Sequence, residues 1–314
     1  MRCRRGEVQF ACADERLAPR TRLILCLKLL CGFSTEEIAS RLFMTQDNVQ
    51  KTLERGRESL KEFWIDHADR PSERSETRSG LDTVALVLYL QFNEGYTLGA
   101  EATPLRSEVC EEAIRLTRLL VGHPVGNQPS TWALLALMHF HASRLPARLD
   151  SEGRFVPLSM QDRTRWDRTH IDLGFAALSE ATRSSDFSRY HGEAAIQVEH
   201  VLAKSFVQTR WQEIVELYEA LERLQPSPVY ALNRAIAIAE ARGPEAGLAA
   251  LDAAALPSWF EDNHLLLGTR GELLHRAGRR NEAQPYLTRA RDAAPSEAER
   301  RHYDERLRIN STEP

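Results

Sequence analysis

From Leu17 to the C-terminus the apolar residues return at helical spacing, and no set of alternating runs suggests a sheet. The helical segments run to about 12 to 20 residues each and are cut by Gly, Pro and polar clusters. These breaks are HPVGNQP near His123, the stretch from Pro146 to Pro157, QPSP at Gln225, RGPE at Arg242 and ALPSWFEDN near Pro257. Helices joined by such short breaks pack as antiparallel neighbours, so the chain is expected to be all-α and built of helical hairpins. Its 314 residues, 42% hydrophobic and 27% charged, suffice for two or three globular domains.

One interval departs from this pattern. Residues 66–80, DHADRPSERSETRSG, are almost free of apolar side chains and hold Pro71 and Gly80, which marks a linker. It separates an N-terminal head, net +3 over its first 64 residues, from a body of net −7. A basic head on an acidic body suits a nucleic-acid contact at one end, although the asymmetry is small.

The head reads as three short helices. Pro19 suits the first turn of a helix through RTRLILCLKLL, which Gly32 ends. Ser34 followed by Glu37 is a capping box for EEIASRL, whose Ile38 and Leu42 form the buried stripe. Thr45 can cap a third helix with Val49, Leu53 and Leu60 turned to the same core. This is the length and pattern of a helix-turn-helix, whose last helix fits a DNA major groove. Its outward residues include Gln46, Gln50, Lys51, Arg55 and Arg57, amides suited to adenine and cations suited to guanine or phosphate. Lys61 continues that face, whereas Asp47, Glu54 and Glu58 on the same helix oppose phosphate.

The last third carries a degenerate repeat. Gly271, Ala283, Leu287, Ala290 and Pro295 occupy the small, small, bulky, small and proline places of a tetratricopeptide unit. An earlier unit ends at Pro226 after Tyr218 and Leu221, with Ala235, Gly247 and Leu251 about one period from each end. A generic helical bundle is the alternative.

Signals for chemistry are few. QDRTRWDRTHID, residues 161–172, gathers acid, base and cation, but Asp162 with Arg165 and Arg163 with Asp167 are spaced as helical salt bridges and Trp166 as a packing anchor. FNEGY, residues 92–96, reads as the end of an apolar helix starting near Leu81. His139 and His141 lie on different faces of a helix and make no zinc pair. With no GxxxxGK[ST], GxSxG or CxxC motif, no cofactor, no metal and no catalytic residue are expected. Five cysteines, Cys26 and Cys31 inside an apolar run, argue against a disulfide framework. No stretch reaches the roughly 18 apolar residues of a membrane span, so a cytoplasmic protein is expected.

Gly32-Phe33-Ser34-Thr35-Glu36-Glu37-Ile38-Ala39, followed by Val49, Leu53, Arg55 and Leu60, resembles region 4 of extracytoplasmic-function sigma factors of the sigma-70 family. FNEGY, CEEAIRLTRLL at 110–120, PARLDSEGRFVPLSMQDRTRWDR at 146–168 and NRAIAIAEARGPEAGL at 233–248 resemble the subgroup with a large C-terminal tetratricopeptide-like extension. The resemblance implies a division into a poorly matched segment 1–16, a region 4-like helix-turn-helix 17–65, the linker 66–80, a helical extension domain 81–185 and TPR-like repeats 186–314. It further implies promoter DNA and core RNA polymerase as partners, a protein partner for the repeats, and DNA contacts through Gln50, Lys51 and Arg55.

The chain departs from the subgroup at Thr52, where a basic residue is usual, and at Gly56, where alanine is usual and glycine should cost about 1 kcal/mol. Only Cys12 remains of the Cys-Cys-His-Pro pattern ahead of region 4, and no region 2 precedes Leu17. A misplaced start, a truncation and a shortened regulator are the open explanations. Two functions follow: a sigma-factor-like regulator, or a TPR-like protein-interaction module whose helix-turn-helix is vestigial.

Overall fold

A computed structural model describes residues 17–29, 33–42, 44–67, 78–96, 106–124, 126–152 and 155–312. Among them are fourteen α-helices, a few short 3-10 turns and a single isolated bridge between Leu149 and Phe155. The fold is all-α. The chain divides into two compact units, one of residues 1–95 with 108–131 and one of residues 96–107 with 132–314.

The first unit begins with α1 (Pro19–Leu29), α2 (Thr35–Arg41) and α3 (Gln46–His67). Pro19 stands at the start of α1, where its missing N–H leaves nothing unpaired. At the start of α2 the Ser34 hydroxyl accepts from the Glu37 N–H at 3.0 Å, and Glu37 Oε2 accepts from the Ser34 N–H at 2.6 Å. This reciprocal box satisfies two backbone donors that a helix otherwise leaves open. The turn closes as the Met44 N–H reaches the Ala39 carbonyl at 2.9 Å, and Thr45 Oγ1 accepts from the Asn48 N–H at 3.3 Å to cap α3.

Leu23, Ile24, Leu25 and Leu27 of α1, Phe33, Ile38 and Ala39, and Val49 and Leu53 of α3 form one core, with Leu42 and Met44 packed on it. Val87 and Leu90 of α4 (Arg78–Tyr96) join the same core, with Leu86 beside them. The helix-turn-helix therefore shares its interior with a helix from beyond the 66–80 interval. The ends of that interval are themselves helical, at 66–67 and 78–80. From α5 (Ser107–Val121), Cys110 is buried with its thiol 3.5 Å from the Phe92 carbonyl. Cys3, Cys12, Cys31 and the Gly32 stop, and the side chains of Cys26, Leu60 and Lys61, lie outside the described residues.

Gly56 corrects an expectation. A Cβ placed there would lie 2.8 Å from Thr21 Cγ2 and 2.9 Å from Leu25 Cδ1 of α1. The glycine is buried where α3 crosses α1, so its propensity cost is offset by a close approach that alanine would obstruct.

The second unit holds most of α6 (Pro129–Ser143), then α7 (Arg168–Ala181), α8 (Arg189–Leu202), α9 (Trp211–Leu224), α10 (Pro228–Arg242), α11 (Pro244–Ala253), α12 (His264–Arg276), α13 (Arg280–Ala293) and α14 (Glu297–Thr312). From α8 onward each helix packs on the next. Between α12 and α13 the turn is a Schellman motif: Gly278, at φ 76°, gives its N–H to the His275 carbonyl, and Arg279 gives its own to Leu274. The small residues read as a repeat are buried where helices touch. Gly271 abuts Leu287, Gly247 abuts Ala239, and Ala235, Ala283 and Ala290 are almost fully buried.

The 161–172 segment is not one helix. Asp162 Oδ1 accepts from the Thr164 N–H at 2.9 Å and caps a 3-10 turn over Arg163–Arg165. Asp167 Oδ1 accepts from the N–H groups of Thr169 and His170 at 2.8 and 3.3 Å and caps α7. Aspartate competes for nearby backbone donors, which breaks the periodicity its charge spacing suggested. Arg163 instead reaches the backbone carbonyls of His200 and Ala203, 37 and 40 residues away. Trp166 is buried against Ala147 and Ile171, as expected of a packing anchor.

Candidate nucleic-acid interface

The third helix presents its surface because its other side is fixed. Val49 is fully buried and Leu53 is 1% exposed, and Gly56 sets α3 against α1. Gln46, Gln50, Lys51, Arg55 and Arg57 are all exposed. On a helix turning about 100° per residue, Gln46, Gln50 and Arg57 fall along one flank and Lys51 and Arg55 along the other. Between the flanks lies a crest of Asp47, Glu54 and Glu58, also exposed, and Lys51 borders it nearly opposite the buried stripe. Thr52 is half-buried and turns its hydroxyl back to the Asn48 carbonyl at 2.7 Å.

The crest carboxylates hold the flanks. Lys51 Nζ lies 2.6 Å from Asp47 Oδ2, with both side chains more than half exposed. Gln50 donates Nε2–H to Glu54 Oε1 at 3.0 Å. Both are i,i+4 pairs on a solvated face, each worth roughly 0.3–0.5 kcal/mol, so an incoming phosphate or base edge can displace them at small cost. Among the described residues no carboxylate pairs with Arg55 or Arg57, which leaves their guanidinium forks ready for phosphate or guanine. The helix thus offers two basic or amide-bearing edges around an acidic ridge, an arrangement that can straddle backbone contacts better than it can lay one flat cationic face on DNA.

Residues 8–60 match the family described as Sigma-70, region 4. That span takes in α1, α2, most of α3 and all five exposed residues. In Rhizobium meliloti (strain 1021), the uncharacterized protein R00370 is 35% identical over 310 residues, which cover 97% of this chain and 71% of that protein. The chain belongs to that protein's family. Its region 4 is continued by residues 80–182, which match a family of unknown function (DUF6596). No solved structure matches the chain. The region 4 match fits the capped three-helix head described above, a sigma-70 type of domain associated with promoter DNA and RNA polymerase.

Among the described residues no helix is long and apolar enough to cross a membrane, and no three His, Cys, Asp or Glu side chains gather around a metal-sized space. His139 and His170 meet through Nδ1 at 2.9 Å as a pair between α6 and α7. Sequence reasoning missed a second polar cluster in the second unit, Arg144 and His200, both buried, with Arg148 and Arg163, both half-buried. Its one visible trace is the crowding of arginines across 144–168, of which Arg163 and Arg165 read as helical salt bridges, to Asp167 and Asp162.

Proposed function

We propose that the protein is a sigma-factor-like transcription regulator of the cytoplasm, whose region 4 docks on promoter DNA and RNA polymerase while its C-terminal helical hairpins, TPR-like in pattern, take a protein partner. The observation that carries this reading is α3: a helix inside the region 4 match, anchored by Val49 and Leu53, with Gln46, Gln50, Lys51, Arg55 and Arg57 outward. Gln46 and Gln50 read base edges, Arg55 and Arg57 hold phosphates flanking the groove, and Lys51 leaves Asp47 to do the same. The work is binding, not catalysis.

Fluorescence anisotropy of the full chain on upstream-promoter duplexes against scrambled duplexes, across a salt series, tests it. The expected result is preference for promoter sequence with affinity falling as salt rises. Arg55→Ala should weaken binding by about 1 kcal/mol, roughly fivefold, on all sequences. Equal binding to promoter and scrambled duplexes would overturn the reading.

The acidic ridge of Asp47, Glu54 and Glu58 favours a second reading, a TPR-like protein-interaction module in which the helix-turn-helix is vestigial. In that case binding to any duplex stays weak while a protein partner is still retained by residues 186–314.

A further inference from the structure

We propose that Arg144, Arg148, Arg163, His200 and Trp166, gathered inside the second unit, form a binding site for a small oxyanion, the phosphate or carboxylate group of a metabolite-sized ligand. This goes beyond promoter docking and stands independently of it.

Three separate pieces of chain bring the group together: the end of α6 and the turn after it, the 3-10 turn at Arg163–Arg165 with Trp166 at its end, and α8. The guanidinium of Arg163 lies 4.7 Å from the Trp166 ring centre, and that of Arg144 lies 5.7 Å from it. Arg148 stacks 3.8 Å over Tyr96. Arg144 is 7% exposed, His200 6% and Trp166 4%.

The charge is unbalanced. Arg144 reaches only neutral acceptors, Gln161 Oε1 at 3.4 Å and Gln197 Oε1 at 3.2 Å, and Arg163 reaches only backbone carbonyls. The nearest acid along α8, Glu199, is held by Arg210 through two bonds of 2.7 Å. Among the described residues no carboxylate pairs with Arg144, Arg148 or Arg163. A buried guanidinium such as Arg144, with two half-buried ones beside it and no counter-charge, is costly, and a purely structural role would be served better by apolar side chains of similar volume.

The hydrogen-bond inventory names the missing partner. Arg163 Nη2, Arg148 Nε and Trp166 Nε1 are buried and unpaired, as is His200 Nδ1. Arginine and tryptophan only donate, so the cluster has surplus donors and lacks an acceptor. An oxyanion is rich in acceptors and negatively charged, and guanidinium forks fit phosphate or carboxylate in the plane. The electrostatics agree: burial, then Arg144 and Arg163, depress the His200 imidazole to about 3, and burial with Arg148 lowers Arg144. A bound anion relieves both.

Thermal unfolding of the full chain, titrated with inorganic phosphate or with malonate at fixed pH and at ionic strength matched with chloride, tests the site. The expected result is a rise of about 5 °C in the midpoint at saturation with at least one of the two anions. Response to phosphate alone assigns a phosphate ligand and response to malonate alone a carboxylate ligand. Arg163→Gln should weaken the response about tenfold or more, read against its own anion-free midpoint because it also gives up the bonds to the His200 and Ala203 carbonyls. Trp166→Phe removes the N–H with part of the ring, so, read against its own anion-free midpoint, it should weaken the response even if the arginine variant folds poorly. No midpoint rise beyond chloride, or variants that respond as the wild type does, would overturn the proposal. Neither result bears on duplex binding, so failure here leaves the promoter reading to its own test.

Discussion

A single missing Cβ decides how α3 lies on α1. Alanine at position 56 would gain about 1 kcal/mol in helix propensity but would press on Thr21 and the fully buried Leu25, and overpacking of this kind costs about 1–3 kcal/mol. Gly56→Ala is therefore expected to destabilise the first unit by about 1 kcal/mol net, read as a lower urea midpoint with an unchanged slope. The same helix offers the opposite experiment at its crest. Asp47 holds Lys51 and repels phosphate, and Glu54 holds Gln50. Asp47→Asn with Glu54→Gln should tighten binding to any duplex and steepen the dependence of log K on log salt by up to about one unit as Lys51 becomes free to displace a counterion. An unaltered slope would mean that Lys51 does not reach the backbone.

At the scale of elements, helix ends govern what was legible in the sequence. Ser34 with Glu37, Thr45 and Pro19 announce their helices because capping is a contact between residues two or three apart, and the structure has all three in place. Ser34→Ala should cost about 1 kcal/mol in thermal or urea unfolding, since it opens the box. Local chemistry also misled. Asp162 and Asp167 stand at intervals from arginines that suit a helix, yet each takes backbone N–H groups as a cap and divides 161–172 into a 3-10 turn and α7. Asp167→Ala is expected to lose about 1 kcal/mol through α7, where a solvated ion-pair partner would lose almost nothing. The role of Gly56 and the union of Arg144 with Gln197, 53 residues apart, depend on partners distant in sequence, so no local pattern could have disclosed them.

Across the whole molecule the exposed face of α3 should answer to salt and the second unit to acid. His141 is held well below its ordinary range by burial first, then by Arg144, Arg148 and His200, and His200 is depressed to about 3 by burial, then by Arg144 and Arg163. A histidine whose folded pKa lies under its unfolded value near 6.5 takes up protons on unfolding, so its contribution is intact above that value and is lost as pH falls toward the folded one. Between pH 6 and 5 each such group removes up to roughly 1.4 kcal/mol per pH unit, and the two together should approach a slope of two protons. His191, His264 and His302, each lowered chiefly by burial, act in the same direction. Urea unfolding at half-unit pH steps, followed by a probe of the second unit, should therefore show midpoints nearly level above pH 7 and falling steeply below 6. An oxyanion held among the arginines would raise both imidazoles toward their free values and flatten that fall. Repeating the series in phosphate thus separates histidines suppressed mainly by burial, for which the slope persists, from histidines suppressed by uncompensated arginine charge, for which it shrinks.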